Sequence, residues 1–306
     1  MNTTTKQVQI VEVGPRDGLQ NETVILSTSQ KVDMITRLAN AGLRRIEVAS
    51  FAHPDKVPQM ADAEAVLAAL PPRDDVSYIG LILNWRGWRR ATDTAVNEIN
   101  MNVSASNTFN QRNQGSDTED TINVLGKIVL DAAEQGIPVT ATIATTWGCP
   151  FEGEMPIERL LFVAGAIAAT GVAEIALADT IGVADPWSVT ERITAVRQVA
   201  QGIPLRAHFH NTRNTGMANA YAAINAGVTT LDSSVGGIGG CPFAPSATGN
   251  IPTDDLVYML DRAGIATNVS LDAVIEVSRH MATLLDRPLD AMLPKAGRFP
   301  RLQTVS

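Results

Sequence analysis

Arg16 and Asp17 stand side by side directly after the short β-rich run Val8-Gln9-Ile10-Val11-Glu12-Val13, behind the strand-breaking pair Gly14-Pro15. A cation and a carboxylate just past the C-terminal end of a strand sit where a parallel barrel builds its active site. Taken alone, the dipeptide also reads as a surface ion pair in a loop. Far downstream come His208 and His210, two residues apart, which places both imidazoles on one face of a strand. Two imidazoles near a strand end suit a divalent metal, with a carboxylate to complete the set. Asp17 is the natural candidate, because strand seven of a closed barrel is one strand removed from strand one. The alternative is a pair of histidines hydrogen-bonded inside the barrel.

A third signal is Val235-Gly236-Gly237-Ile238-Gly239-Gly240-Cys241-Pro242-Phe243. Its four glycines permit large backbone changes, and a segment of this kind after strand eight can act as a mobile lid. It carries Cys241 to the barrel mouth, where a thiol suits proton transfer or nucleophilic attack. Asn250 follows, and its amide oxygen can join a metal shell or serve near a helix N-cap. Glu47 lies between Ile46 and Val48, so its carboxylate needs a charged or hydrogen-bonding partner. Cys149 sits in a Gly-Cys-Pro-Phe context with no evident acid-base partner and reads as structural.

These residues are strung along an alternation of strands and helices. Strands are expected at 8–13, 45–50, 76–83, 98–105, 137–146, 174–178, 205–210 and 229–235. Helices are expected at 27–41, 59–70, 116–135, 156–170, from Pro186 onward, at 215–226, from Pro252 and at 271–285. The polar run 104–114 reads as a loop at the mouth, and residues 84–97 carry no assigned element. Eight repeats without a long spacer predict an α/β fold, a (β/α)8 TIM barrel with a short helical C-terminal extension. A doubly wound open sheet is the alternative. Residues 1–306 then form a single TIM-barrel catalytic domain, with the extension at about 264–306. Residues 294–306 hold Lys295, Arg298 and Arg301 and no acid, a positive patch that reads as a solvated terminus or as a contact for an anionic ligand.

The 306 residues are 45% hydrophobic and 18% charged, which suits a globular chain with a sizeable core. A formal net charge of -8 argues against a nucleic-acid partner. No apolar run is long enough to span a bilayer. The N-terminus has no hydrophobic signal core, so a cytoplasmic location is expected. Two cysteines are too few for a disulfide framework and are expected as reduced thiols.

Several stretches together are identified with a family. Val11 through Glu22, Ile46-Glu47-Val48-Ala49-Ser50-Phe51, Val57-Pro58-Gln59-Met60, Gly148 through Gly153, Asp179-Thr180-Ile181-Gly182 and Gly239-Gly240-Cys241-Pro242 resemble the hydroxymethylglutaryl-CoA lyase family. The resemblance runs from about residue 8 to about 285. It implies a TIM barrel of the metal-dependent lyases, with Asp17, His208, His210 and Asn250 as ligands to magnesium or manganese. It implies Arg16 as stabiliser of an enolate, Cys241 as the catalytic thiol and Glu47 as an active-site glutamate, with His208 a candidate base. The implied partner is an acyl-CoA thioester, in a homo-oligomer that is a dimer or a tetramer.

The implied reaction is retro-Claisen cleavage of 3-hydroxy-3-methylglutaryl-CoA to acetyl-CoA and acetoacetate. Two segments depart from the family pattern: Asn211-Thr212-Arg213-Asn214 after the histidine pair, and Ser106-Asn107-Thr108-Phe109-Asn110 after strand four. Both are expected to border the substrate, so a related thioester such as citramalyl-CoA stays open. A Claisen-type condensing enzyme and a non-catalytic acyl-CoA-binding barrel are the further alternatives.

Overall fold

The computed structural model of the chain describes residues 6–241 and 244–300, with backbone alone at 241 and 244–248. Eight parallel strands close into a barrel: β1 (Gln9–Glu12), β2 (Arg45–Ser50), β3 (Ser77–Ile82), β4 (Glu98–Ser104), β5 (Val139–Ala144), β6 (Glu174–Asp179), β7 (Leu205–Phe209) and β8 (Thr230–Ser233). Closure is made by β1 against β8, in the register Gln9↔Thr230 through Glu12↔Ser233. The TIM barrel read from the alternation is therefore the fold, and the open doubly wound sheet is excluded.

Helices wrap the barrel: α1 (Thr28–Asn40), α2 (Ala63–Ala69), α3 (Trp85–Thr92), α4 (Asn107–Gln114), α5 (Thr118–Glu134), α6 (Ile157–Ala168), α7 (Pro186–Val199), α8 (Gly216–Asn225) and α9 (Thr253–Arg262). Their starts follow local chemistry. Ser27 caps α1 in a reciprocal capping box with Gln30, and Asp185 with Ser188 does the same for α7 behind Pro186. Two further helices, α10 (Leu271–Leu284) and α11 (Leu293–Ala296), follow the barrel, and α10 packs on α1 and α9.

Two helices differ from expectation. The run 104–114 is not a loop: Ser106 accepts from Phe109 N and opens α4, which ends at left-handed Gly115. Residues 84–97 hold α3, whose arginine-rich, glycine-interrupted sequence has little helical signal. Asn84 caps it, and Trp88 is fully buried with its indole N–H donated to Asp131 Oδ2 at 2.8 Å. Tertiary packing overrides weak propensity there.

Most of the hydrophobic core lies between the strands and the helices. The barrel interior is different. Its apolar side chains include a small separate cluster of Val11, Val13 and Ile79, with Leu81, Ala144 and Ala178 facing the cavity. Much of the rest of the inward face is polar. Arg45 on β2 reaches across to Glu98 on β4 and Glu174 on β6, with contacts of 2.5–3.1 Å, a meeting possible only inside the barrel. Arg206 on β7 lies between Glu174 at 3.5 Å and Asp232 on β8 at 3.4 Å. These five charges form the barrel floor, where filling by branched aliphatics is the usual solution.

Candidate active site

The mouth is built from the ends of several strands. Past β1 the chain makes one wide helical turn, Gly14–Gly18, in which the N–H groups of Arg16, Asp17 and Gly18 converge on Val13 O at 2.7–3.2 Å. That turn aims Arg16 and Asp17 into the barrel. The buried Glu12 carboxylate holds the turn from below. Oε1 accepts from Gly14 N (2.8 Å) and Val235 N (2.9 Å), and Oε2 accepts from Thr253 Oγ1 (2.7 Å). Glu12 thus joins the turn, the start of the glycine-rich segment and the start of α9. Burial pushes its carboxyl up to about 8, with these hydrogen bonds opposing the shift.

Arg16 is forked between two carboxylates. Its Nε donates to Glu47 Oε2 and its Nη1 to Asp17 Oδ1, both at 2.5 Å. Glu47 therefore has the charged partner its apolar setting required, and it also accepts from Asn100 Nδ2 at 2.9 Å. Burial acts to lower the Arg16 pKa, but Glu47 and Asp17 prevail and raise it. Burial likewise acts to raise Asp17, yet Arg16 and the two histidines hold its carboxyl well below the usual range.

His208 and His210 point to the same face, with ring centroids 5.1 Å apart. Their Nε2 atoms lie 3.9 and 3.8 Å from Asp17 Oδ2. One donor atom from each of Asp17, His208 and His210 can be chosen with all three within 4.8 Å of one another. Asn250 reaches this group through a backbone bridge to His210 and donates Nδ2 to Asp17 Oδ2 at 2.9 Å. Its Oδ1 is buried and accepts no hydrogen bond among the described residues. Such an orphaned carbonyl-type oxygen is costly unless something binds it. Two imidazoles, one carboxylate and one free amide oxygen suit a divalent cation of the magnesium or manganese class.

The structure thus brings Arg16, Asp17, Glu47, His208, His210 and Asn250 together. The Cys241 side chain lies outside the described residues. Its backbone in Gly240–Cys241 pairs antiparallel with Ala244–Thr248. Gly239, at φ +119°, passes so close to Asn250 that a Cβ would stand 2.8 Å from Nδ2. Cys149 is buried, with Sγ 3.0 Å from Ser106 Oγ, as a structural thiol would be.

Above these groups opens a cavity of about 810 Å³, lined by Arg16, Asp17, Asn100, Thr142, His208 and His210 below and by Lys56, Arg86 and Arg112 toward the rim. Asn107 and Asn211 are not among its lining. Asn107 donates to Asp117 Oδ1, and Asn211 Oδ1 accepts from Gly216 N. The segment 106–110 borders the cavity through Phe109, with Arg112 beyond it in α4, whereas no residue of 211–214 is in the lining. Arg298 is engaged with Asp272 on the surface. Among the described residues the positive charge lining the cavity includes Lys56, Arg86 and Arg112, and Arg301 lies outside the described residues.

A family model described as HMGL-like matches residues 7–281. The chain belongs to the HMGL-like family. A hydroxymethylglutaryl-CoA lyase from Bacillus subtilis is 38% identical over 284 residues, 93% of this chain and 95% of that protein. An (R)-citramalyl-CoA lyase from Chloroflexus aurantiacus is 37% identical over 300 residues, 95% of each. A solved HMG-CoA lyase from Acinetobacter baumannii, in complex with coenzyme A and 3-methylmalate, superposes with a TM-score of 0.94 at 38% identity and covers 100% of both chains.

Sequence reasoning passed over Asp232 and Arg206. Asp232 Oδ2 lies 3.1 Å from His208 Nδ1, and Arg206 faces its other oxygen. Burial acts to raise Asp232, but Arg206 and His208 hold it below the ordinary range. The available signal was a carboxylate inside the buried run Thr230–Ser233, the same signal that marked Glu47. Among the described residues no helix is long and apolar enough to cross a membrane.

Proposed function

We propose that this protein cleaves 3-hydroxy-3-methylglutaryl-CoA to acetyl-CoA and acetoacetate by retro-Claisen chemistry. The observation that carries the reading is Arg16, Asp17, His208, His210 and Asn250 gathered under one cavity, in a chain alike over nearly its whole length to lyases of that name. Asp17, His208, His210 and Asn250 Oδ1 would hold magnesium or manganese. Such a cation supplies Lewis-acid charge to oxygens of the substrate and eases loss of the hydroxyl proton.

Arg16 has five N–H donors. Nε and Nη2 face Glu47 and Nη1 faces Asp17, which fixes the guanidinium plane. The remainder serve to offset the negative charge that builds on the departing thioester enolate. Cys241, on the glycine-rich segment, gives the enolate carbon its proton. His208 has one free lone pair, at Nε2, once Nδ1 is engaged with Asp232. That lone pair can bind a metal or accept a proton, not both at once, and we assign it to the metal. Lys56, Arg86 and Arg112 suit the phosphates of a coenzyme A thioester.

A second reading is favoured by the Chloroflexus relative: the same bond cleavage on citramalyl-CoA, giving acetyl-CoA and pyruvate. Incubation of the purified protein with each thioester, with and without EDTA, separates the two. The first reading expects acetoacetate and acetyl-CoA in equal amounts, abolished by EDTA and restored by magnesium or manganese. Pyruvate as the efficient product selects the second reading, and no acetyl-CoA from either removes both.

A further inference from the structure

The metal-site residues rest on a buried relay. β7 and the residue directly after it send Arg206, His208 and His210 into the barrel in register, two residues apart. Arg206 is 1% exposed and His208 is 8% exposed. Asp232 on the neighbouring strand stands between them, with Oδ2 at 3.1 Å from His208 Nδ1 and Oδ1 at 3.4 Å from Arg206 Nε. Arg206 in turn leans on Glu174, which Arg45 binds through both its Nη atoms.

A carboxylate facing a guanidinium has no proton to offer, so it accepts, and His208 Nδ1 must donate. The lone pair is then confined to Nε2, the nitrogen that faces Asp17. A lone imidazole would divide its proton between the two ring nitrogens, and only one tautomer can bind a cation through Nε2. We infer that Asp232 is a positioning residue, oriented by Arg206, that locks His208 in the Nδ1–H tautomer and so prepares the Nε2 end to bind the divalent cation. Carboxylates behind metal-ligating histidines orient the ring and raise its basicity, and their loss weakens metal affinity about 10–100-fold.

Arg206 makes the consequence specific. It offers only donors. In an Asp232→Asn variant the carbonyl oxygen turns toward Arg206 and the amide N–H group turns toward His208. Nδ1 then becomes the acceptor and the proton moves to Nε2, blocking the metal-facing nitrogen. A serine protease triad loses its working tautomer in the same way when its aspartate becomes asparagine. Asp232→Asn, the better shape match, should therefore bind metal less well than Asp232→Ala, which leaves both tautomers accessible. A residue that merely filled space would give the reverse order.

The test uses full-length protein stripped of metal and titrated with Mn2+, with free Mn2+ read by electron paramagnetic resonance. The expected result is Asp232→Asn weakened by at least about tenfold and Asp232→Ala weakened less. Equal affinity of Asp232→Asn and the native protein overturns the inference, as does an alanine variant that binds worse than the asparagine variant. A measurement on the native protein covers the case in which the variants do not fold. With 15N-histidine labelling and assignment by His208→Gln, the neutral His208 ring of the metal-free protein should carry its proton on Nδ1. A proton on Nε2 overturns the inference. The inference rests on the metal reading above, and the two fail differently. Native protein without saturable Mn2+ binding removes both, whereas native binding indifferent to Asp232 removes only this one.

Discussion

The two ends of the barrel interior are both charged, yet they are built on opposite rules. At the floor, Arg45, Glu98, Glu174, Arg206 and Asp232 form a set in which each carboxylate faces a guanidinium, closely at Arg45 and at 3.4–3.5 Å at Arg206, whose Nε and Nη2 make no hydrogen bond among the described residues. At the mouth, Arg16, Asp17, Glu47, His208, His210 and Asn250 meet one another but leave capacity over. Asn250 Oδ1 has no partner among the described residues, and Arg16 keeps donors unused by Glu47 and Asp17. A buried set whose charges are paired among themselves, away from any cavity mouth, serves structure. One that stops short of satisfaction beneath a cavity is organised around something that arrives. β7 and the residue after it serve both ends, with Arg206 below and His210 above, and His208 with Asp232 is the joint between them.

The largest expected effect is at the mouth. Asp17→Ala should lose bound metal and turnover together, turnover falling to background. Full metal occupancy by elemental analysis in that variant would contradict the assignment of Asp17. Next, Arg16→Gln should keep metal and thioester binding while kcat falls about 10²–10³-fold, the scale for removing one donor from a developing oxyanion. A raised KM as the sole defect would remove the enolate role.

Cys241→Ser should also keep metal and lose most turnover. A thiol reagent should label Cys241 well before the buried Cys149, and peptide mapping decides between them. At the floor, Arg45→Met should act on stability instead. Leaving Glu98 and Glu174 short of a partner costs about 3–5 kcal/mol in urea unfolding, while kcat of the folded fraction stays near native. A kcat loss as deep as that of Arg16→Gln would erase the distinction between the two ends.

The last expected effect is a slope in pH. Glu12 keeps its proton in the fold up to about 8, while the unfolded chain releases it near 4.5. Between those values the folded state holds more protons, so its stability falls as pH rises, by up to about 1.4 kcal/mol per pH unit. Glu12→Gln mimics the protonated form and should flatten this slope, leaving the variant relatively more stable at pH 8 than at pH 5. Parallel stability curves for the two proteins would rule out a raised Glu12.

The sequence by itself determined the architecture and the identity of the groups at the mouth. Alternating strands and helices are local patterns of period 2 and 3.6 with short connections, and such patterns survive without tertiary information. His208 and His210 were legible because their spacing alone sets a common face, and Glu47 because a lone carboxylate between Ile46 and Val48 demands a partner. Which partner it takes was not legible: Arg16 is 31 residues away and reaches Glu47 through a helical turn shaped by Val13 O. α3 was missed because the burial of Trp88, not propensity, makes it a helix. Of the two segments expected to border the substrate, 106–110 does so through Phe109, while Asn107 and Asn211 themselves are each turned into a local cap. The charged floor was decided only by closure of the barrel, since Arg45, Glu98, Glu174, Arg206 and Asp232 come from five strands. A sequence lists each of these charges separately, and only the folded barrel brings each within 4 Å of an opposite charge, where burial makes every unpaired charge costly.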